Sequence, residues 1–232
     1  MSPPPGGPKE GSLPQGHEGA RSERGAKTRS VKGAHTKRIG LFGGTFDPPQ
    51  LAHAALARCA RDALRLDELR WIPTGSPWQK AHAISDAHHR EAMVNLAIAA
   101  ERAFVLERCE LERAGPSYTL QTVHELRQRV PGASWFLLIG ADQYNNLHTW
   151  RGWPELLRMV TLAVAPRPGV AMRPDPRVAQ APHQLVPLPP MDISATEIRD
   201  RVARGESISG LVSDAVAGYI AQHHLYRRAA AH

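Results

Sequence analysis

From Arg38 onward, short apolar runs alternate with longer stretches in which apolar residues recur every three or four positions. Residues 38–42, 69–73, 104–109, 135–139 and 161–165 read as strands. Residues 51–64, 86–100 and 118–130, and a Trp-rich stretch around 150–159, read as helices between or beside them. Strands separated by helices of this length predict βαβ units with right-handed crossovers, and hence a parallel sheet with helices on both faces. Residues 166–190 contain eight prolines, which predicts an extended, loop-rich crossing there. Two further helices are expected at 194–203 and 211–223. The predicted class is α/β: a doubly wound parallel sheet forming a single domain over residues 37–228. Ligands of such sheets bind outside the carboxyl ends of the strands, where strand order reverses, so the turn after the first strand is where chemistry is expected.

Composition narrows the function classes. The chain of 232 residues is 42% hydrophobic and 22% charged, which excludes a chain disordered throughout and a collagen-like repeat. No apolar run approaches the roughly 20 residues of a membrane-spanning helix, so no membrane partner is expected. Two cysteines, Cys59 and Cys109, cannot build a disulfide framework and have no metal-ligand spacing, so a reducing, cytoplasmic setting is expected. The net charge of +7 is lopsided: residues 1–38 carry eight basic side chains against three acidic ones, five of the seven net charges. The same stretch holds five prolines and seven glycines, and residues 1–36 read as a disordered basic tail. It lacks the apolar centre of a secretory signal. A tail of this kind can touch polyanions, but so little of the charge belongs to the domain that no specific nucleic-acid partner is expected. The twelve histidines include two adjacent pairs, His88-His89 and His223-His224, and adjacent residues on a helix diverge. No two are spaced i, i+4 beside a third ligand, so no protein-held metal is expected.

The first turn reads Gly43-Gly44-Thr45-Phe46-Asp47-Pro48-Pro49-Gln50-Leu51-Ala52-His53. Glycines directly after a strand let the backbone approach a ligand and expose N–H groups, and the following helix aims its positive end at the same place. A phosphate suits that geometry. The buried stripe of this helix is expected at Ala52, Ala55, Leu56, Cys59, Ala63 and Leu66, which puts His53 about 100° off it, in the first turn and not needed for packing. Residues 194–197, Ser-Ala-Thr-Glu, form a capping box at the start of a helix whose N–H groups, Thr196 hydroxyl and Arg199 guanidinium suit a polyphosphate. Ser117 is a candidate cap for the helix that begins near Tyr118. Trp150 and Trp153, three apart on an expected helix, would share a face. Asp142, at the carboxyl end of a strand, is placed to accept hydrogen bonds from a ribose.

The string GGTFDPP followed by a histidine resembles the nucleotidyltransferase superfamily, whose signature is histidine, any residue, glycine, histidine. Further segments resemble bacterial nicotinate mononucleotide adenylyltransferases: PTGSPWQK (73–80), PSYT (116–119), GADQ (140–143), WRGW (150–153), RPG (167–169) and ISATEIR (193–199). The resemblance covers residues 38 to about 226 and implies a Rossmann-like fold. It also implies transfer of AMP from ATP to nicotinate mononucleotide, by in-line attack of the acceptor phosphate on the α-phosphorus. The carried-over roles put Gly43, Gly44, Thr45, Phe46, His53, Ile193, Ser194, Thr196 and Arg199 on ATP. They put Lys80, Tyr118, Thr119, Asp142, Trp150 and Arg167 on the mononucleotide, with Trp150 stacking on the pyridine ring. His53 and Gln50 are the catalytic candidates, and Mg²⁺ is expected to arrive with ATP, held by phosphate and water.

One departure stands out. The superfamily pattern has histidine where this chain has Gln50, and glycine where it has Ala52. Glutamine can donate to a phosphate oxygen but carries no charge, and loss of one transition-state donor costs about 10²–10³ in rate. An impaired or non-catalytic nucleotide-binding relative is therefore one alternative; a sister adenylyltransferase or cytidylyltransferase with another phosphate acceptor is a second. The sequence leaves a homo-oligomer open.

Overall fold

The computed structural model describes residues 35–75, 84–167, 169–187, 191 and 193–227. The expected tail falls outside them except for His35 and Thr36, and so does Lys80. Six strands, β1 (Arg38–Gly44), β2 (Glu68–Pro73), β3 (Phe104–Leu106), β4 (Ser134–Gly140), β5 (Thr161–Ala165) and β6 (His183–Leu185), pair in parallel in the order β3-β2-β1-β4-β5-β6. The helices are α1 (Leu51–Leu64), α2 (Ala87–Ile98), α3 (Cys109–Glu112), α4 (Thr119–Arg129), α5 (Ala141–Asn146), α6 (Trp153–Met159), α7 (Pro176–Ala179), α8 (Ala195–Ala203) and α9 (Asp214–Gln222), with a 3₁₀ turn at Leu147–Thr149. The strand order reverses between β1 and β4, which opens a crevice beyond their carboxyl ends.

The alternation of side chains along each strand divides the core. Ile39, Leu41, Leu137, Ile139, Leu162 and Val164 face Val123 and Leu126 of α4 and Leu156 of α6. Phe42, Leu69, Trp71, Phe136, Leu138 and Ala163 face Ala57, Ala60 and Leu64 of α1 and Val94 and Ile98 of α2. A third cluster, Met93, Ile198, Ile208, Val212, Val216 and Ile220, joins α2, α8 and α9 beside the sheet.

Several local expectations need correction. α1 has the expected bounds, but its buried face is Ala54, Ala57, Ala60 and Leu64; of the expected stripe through Ala52, Ala55, Leu56, Cys59, Ala63 and Leu66, only Leu66, just past the helix, is buried, and Leu56 and Cys59 are partly buried. So much of this helix is alanine that two stripes were equally apolar. His53 is in line with Ala57, Ala60 and Leu64, at helical spacing, and so borders the packed face rather than standing clear of it. The strand expected at 104–109 stops at Leu106, because the Glu107 carboxylate accepts the Cys109 N–H (3.2 Å) and turns the chain into α3. The proline-rich crossing contains α7, started by Asp175 capping and Pro176 at its first turn, and β6, an exposed edge strand. Trp150 and Trp153 do not share a helix face. Trp150 is extended, and Gly152, at φ 71°, starts α6 only at Trp153. A Cβ at Gly152 would also lie 2.3 Å from Leu120 Cδ2.

Candidate active site

β1 delivers Gly43 and Gly44 to the mouth of the crevice. Gly43 has ordinary strand geometry, and a Cβ there would meet nothing within 4 Å; its missing side chain is open space. Phe46 follows in the left-handed region (φ 50°), a costly conformation for a bulky residue. Its ring is fixed between Phe42, Trp71 and His53, with centroids 5.4, 5.1 and 5.2 Å away. Asp47 is buried. Its Oδ1 accepts from the Tyr226 hydroxyl (2.6 Å), its Oδ2 from the Ser85 N–H (3.2 Å), and its carbonyl from Arg199 Nη1 (2.9 Å).

At the start of α1 the Gln50 N–H donates to His53 Nδ1 (3.0 Å). With Nδ1 accepting, the neutral ring carries its proton on Nε2, and His53 lines a cavity at the reversal of strand order. Gln50 is 9% exposed. In the amide orientation that satisfies both of its neighbours, Nε2 donates to the Ile193 carbonyl (3.1 Å) and Oε1 accepts from the Ala195 N–H (2.7 Å). Ala195 is the first residue of α8, whose cap is Ser194 Oγ accepting from the Glu197 N–H (3.1 Å); this is one half of the expected capping box, the Glu197 carboxylate pairing instead with Arg201 (3.0 Å). Gln50 thus joins the N-termini of two helices, each with a positive end. Arg199 Nη2 donates to Thr196 Oγ1 (3.2 Å), so the two ATP candidates on α8 touch each other, and Arg199 also reaches the Asp47 loop.

A cavity of about 480 Å³ spans the point where strand order reverses, lined by Gly43, Gly44, Thr45 and His53 on one side and Gly140, Gln143 and Trp150 on the other. Thr119, Thr122, Ser117 and Glu110 also line it. Ser117 does not cap α4: its hydroxyl is buried and has no hydrogen-bond partner among the described residues, while the residue lines this cavity. Burial holds the Glu110 carboxyl above its ordinary range, against the opposing Thr122 hydroxyl, which donates to Oε1 (2.8 Å). Trp150 also lines a neighbouring cleft with Tyr118, Asn146, Thr149 and Arg151, where the Arg151 guanidinium stands 4.8 Å from the centre of the Tyr118 ring. Asp142 and Arg167 pair with each other (3.1 Å) on the exposed rim and line neither space. A larger concavity of about 690 Å³ between the ends of α8 and α9 contains none of the sequence motifs.

Sequence reasoning missed Gln143, Glu110, Thr122 and Arg151. Gln143 lay in a quoted motif without a role, whereas Glu110 and Thr122 enter through tertiary packing alone. It also missed Arg90, a buried cation on α2. This side chain donates to the carbonyls of Thr45 (3.2 Å), Thr74 (2.7 Å), Gly75 (3.0 Å) and Ser85 (3.0 Å). Among the described residues no group of three or more His, Cys, Asp or Glu has metal-holding geometry. Cys59 and Cys109 are free thiols; burial first, then nearby carboxylates, push Cys109 up to about 12.

The profile of the family described as Cytidylyltransferase-like matches residues 41–201, a span that runs from β1 through the capped start of α8. The chain belongs to this family. Within it, its relatives are nicotinate-nucleotide adenylyltransferases. A protein of Methylibium petroleiphilum named "Probable nicotinate-nucleotide adenylyltransferase" is 48% identical over 82% of this chain and 92% of its own length. A Bordetella petrii protein of the same name is 48% identical over 82% of this chain and 100% of its own. Among solved structures, the Plasmodium falciparum nicotinic acid mononucleotide adenylyltransferase complexed with NaAD superposes with a TM-score of 0.70 at 18% identity. The match covers 82% of this chain and 97% of that one, and this likeness carries the fold. No described helix of this cytidylyltransferase-like chain is long and apolar enough to cross a membrane.

Proposed function

We propose that this protein transfers the AMP moiety of ATP to nicotinate mononucleotide, forming nicotinate adenine dinucleotide and releasing pyrophosphate. An oxygen of the acceptor phosphate bonds to the α-phosphorus as the bond to the bridging oxygen breaks, and that oxygen leaves with pyrophosphate. The observation that carries this reading is one cavity reaching from the Gly43–Thr45 turn and His53 to Trp150 and Thr119 across the reversal point. The relatives' shared name supports the choice of acceptor.

In this reading the backbone of Gly43, Gly44, Thr45 and Phe46 and the start of α8, with Ile193, Ser194, Thr196 and Arg199, receive the triphosphate. His53 Nε2–H donates to it. Gln50 acts through α8: both polar ends of its amide are engaged there, so it sets where the Ser194–Arg199 donors stand. Trp150, Tyr118 and Thr119 hold the pyridine ring, an aromatic face suiting a flat cationic heterocycle. Asp142 and Arg167 at the rim serve the ribose and phosphate of the mononucleotide, joined by Lys80. The donor set around the turn is N–H groups and cations, which suits phosphate oxygens. Mg²⁺ therefore comes on the triphosphate, where it offsets phosphate charge. A cytoplasmic setting accompanies this reading, supported by the two free thiols.

The test is pyrophosphate release with ATP and Mg²⁺, using nicotinate mononucleotide and nicotinamide mononucleotide in parallel. Turnover with the nicotinate form is expected. A folded protein that releases pyrophosphate with neither, while still binding ATP, would overturn the reading in favour of a nucleotide-binding relative.

A further inference from the structure

The end of the described chain returns to the phosphate turn from 179 residues away. α9 lies along α2 through Val216 and Ile220 against Met93, and beyond it His224 and Tyr226 both adopt left-handed backbone (φ 52° and 63°). Neither is glycine, so each carries a conformational cost. These turns aim the Tyr226 phenol at Asp47, where it donates to Oδ1 at 2.6 Å. Burial, then the neighbouring Asp47 charge, hold this phenol far above its usual range, so it stays a donor at every working pH. The remaining Asp47 bonds hold the same loop, as does Arg90, which ties the Thr45 carbonyl of this loop to the carbonyls of Thr74, Gly75 and Ser85. Asp47 itself is 3% exposed and lines neither cavity, so it acts on what precedes and follows it: Thr45 and Phe46 on one side, Gln50 and His53 on the other.

We infer that Tyr226 is a positioning residue for ATP, its hydroxyl holding Asp47 and thereby the turn donors and His53 in their triphosphate-binding arrangement. This inference rests on the assignment of the turn to ATP in the proposed function, but not on the identity of the acceptor. The experiment is calorimetric binding of Mg·ATP to the full chain and to Tyr226→Phe, with no acceptor present, beside thermal melts of both. Removing one hydrogen bond to a charged group should weaken ATP binding by about tenfold or more. In the transfer assay the KM for ATP should rise by a similar factor while the KM for the acceptor stays within about twofold. Because the hydroxyl acts through Asp47, Tyr226→Phe should add less than about twofold in an Asp47→Ala background. Unchanged ATP affinity in Tyr226→Phe would overturn the inference, as would an equal loss toward both substrates, or a loss of ATP binding that appears only as the protein unfolds. A wild-type chain that binds ATP yet transfers nothing would instead overturn the acceptor assignment and leave the Tyr226 result readable.

Discussion

Replacing Gln50 by leucine separates two ways in which this residue can support adenylyl transfer. Leucine is close in volume and apolar, so the space stays filled while both amide bonds, to the Ile193 carbonyl and the Ala195 N–H, are lost. The site is 9% exposed, so water replaces those bonds poorly. Each buried group left without a partner costs about 1–3 kcal/mol. Partial hydration at the end of α8 brings the expected total to roughly 2–3 kcal/mol. For a domain of this size that is a fall in melting temperature of roughly 5–10 °C. Because α8 carries Thr196 and Arg199, the KM for ATP should rise about tenfold or more, while kcat at saturating ATP stays within about fivefold. The assays are thermal denaturation and steady-state pyrophosphate release over a range of ATP concentrations. A direct transition-state donor gives the opposite signature: unchanged stability and a kcat lower by about 10²–10³. That result in Gln50→Leu would refute the positioning argument.

Two further outcomes follow from the site. Gly43→Val introduces a side chain where nothing lies within 4 Å, on extended backbone that a β-branched residue suits. It should melt within about 3 °C of the parent yet lose ATP binding by isothermal calorimetry, and retained binding would show that the triphosphate lies elsewhere. Glu110 has its folded pKa raised by burial, so the folded state holds this proton more tightly than the unfolded chain does. Its contribution to stability is most favourable below the unfolded value and declines as pH rises through the folded one. Glu110→Gln keeps an acceptor for Thr122, so its melting temperature relative to the parent should be higher at pH 7.5 than at pH 4, and a pH-independent difference would refute the assignment.

What the sequence made legible was local. The bounds of α1 and β5 coincide with the apolar pattern, and the start of α8 was marked by Ser194 and Glu197, a cap that acts over three residues. The parallel sheet followed from alternating element types, and the glycine turn pointed to the place where a cavity lies. What escaped has a physical reason in each case. β6 is exposed throughout, so no alternation marked it, and α5 (ADQYNN) buries only Ala141 and Tyr144, too few for a helical period. The buried face of α1 depends on which alanines meet the sheet, a choice that alanine itself does not encode. Nothing in the sequence sets Arg90 apart from other helix cations, since the loops it holds come together only in the fold, and the Asp47–Tyr226 bond joins residues whose adjacency only the finished fold creates.

The same packing changes how the substitution at the signature position should be weighed. From sequence alone, glutamine in place of histidine looks like the loss of a cation. At this position the surroundings already oppose a cation: the side chain is nearly buried, the positive ends of α1 and α8 converge on it, and Arg90 and Arg199 both bind the adjoining loop. Desolvation, helix ends and like charge all favour the neutral form of a titratable base. An imidazole introduced by Gln50→His would therefore be held neutral, and its two nitrogens point apart whereas the two ends of an amide point the same way. It would keep one of the two bonds to α8 and lose the other. The electrostatic difference between glutamine and histidine here is accordingly small, and the amide is the better fit to the paired Ile193 carbonyl and Ala195 N–H.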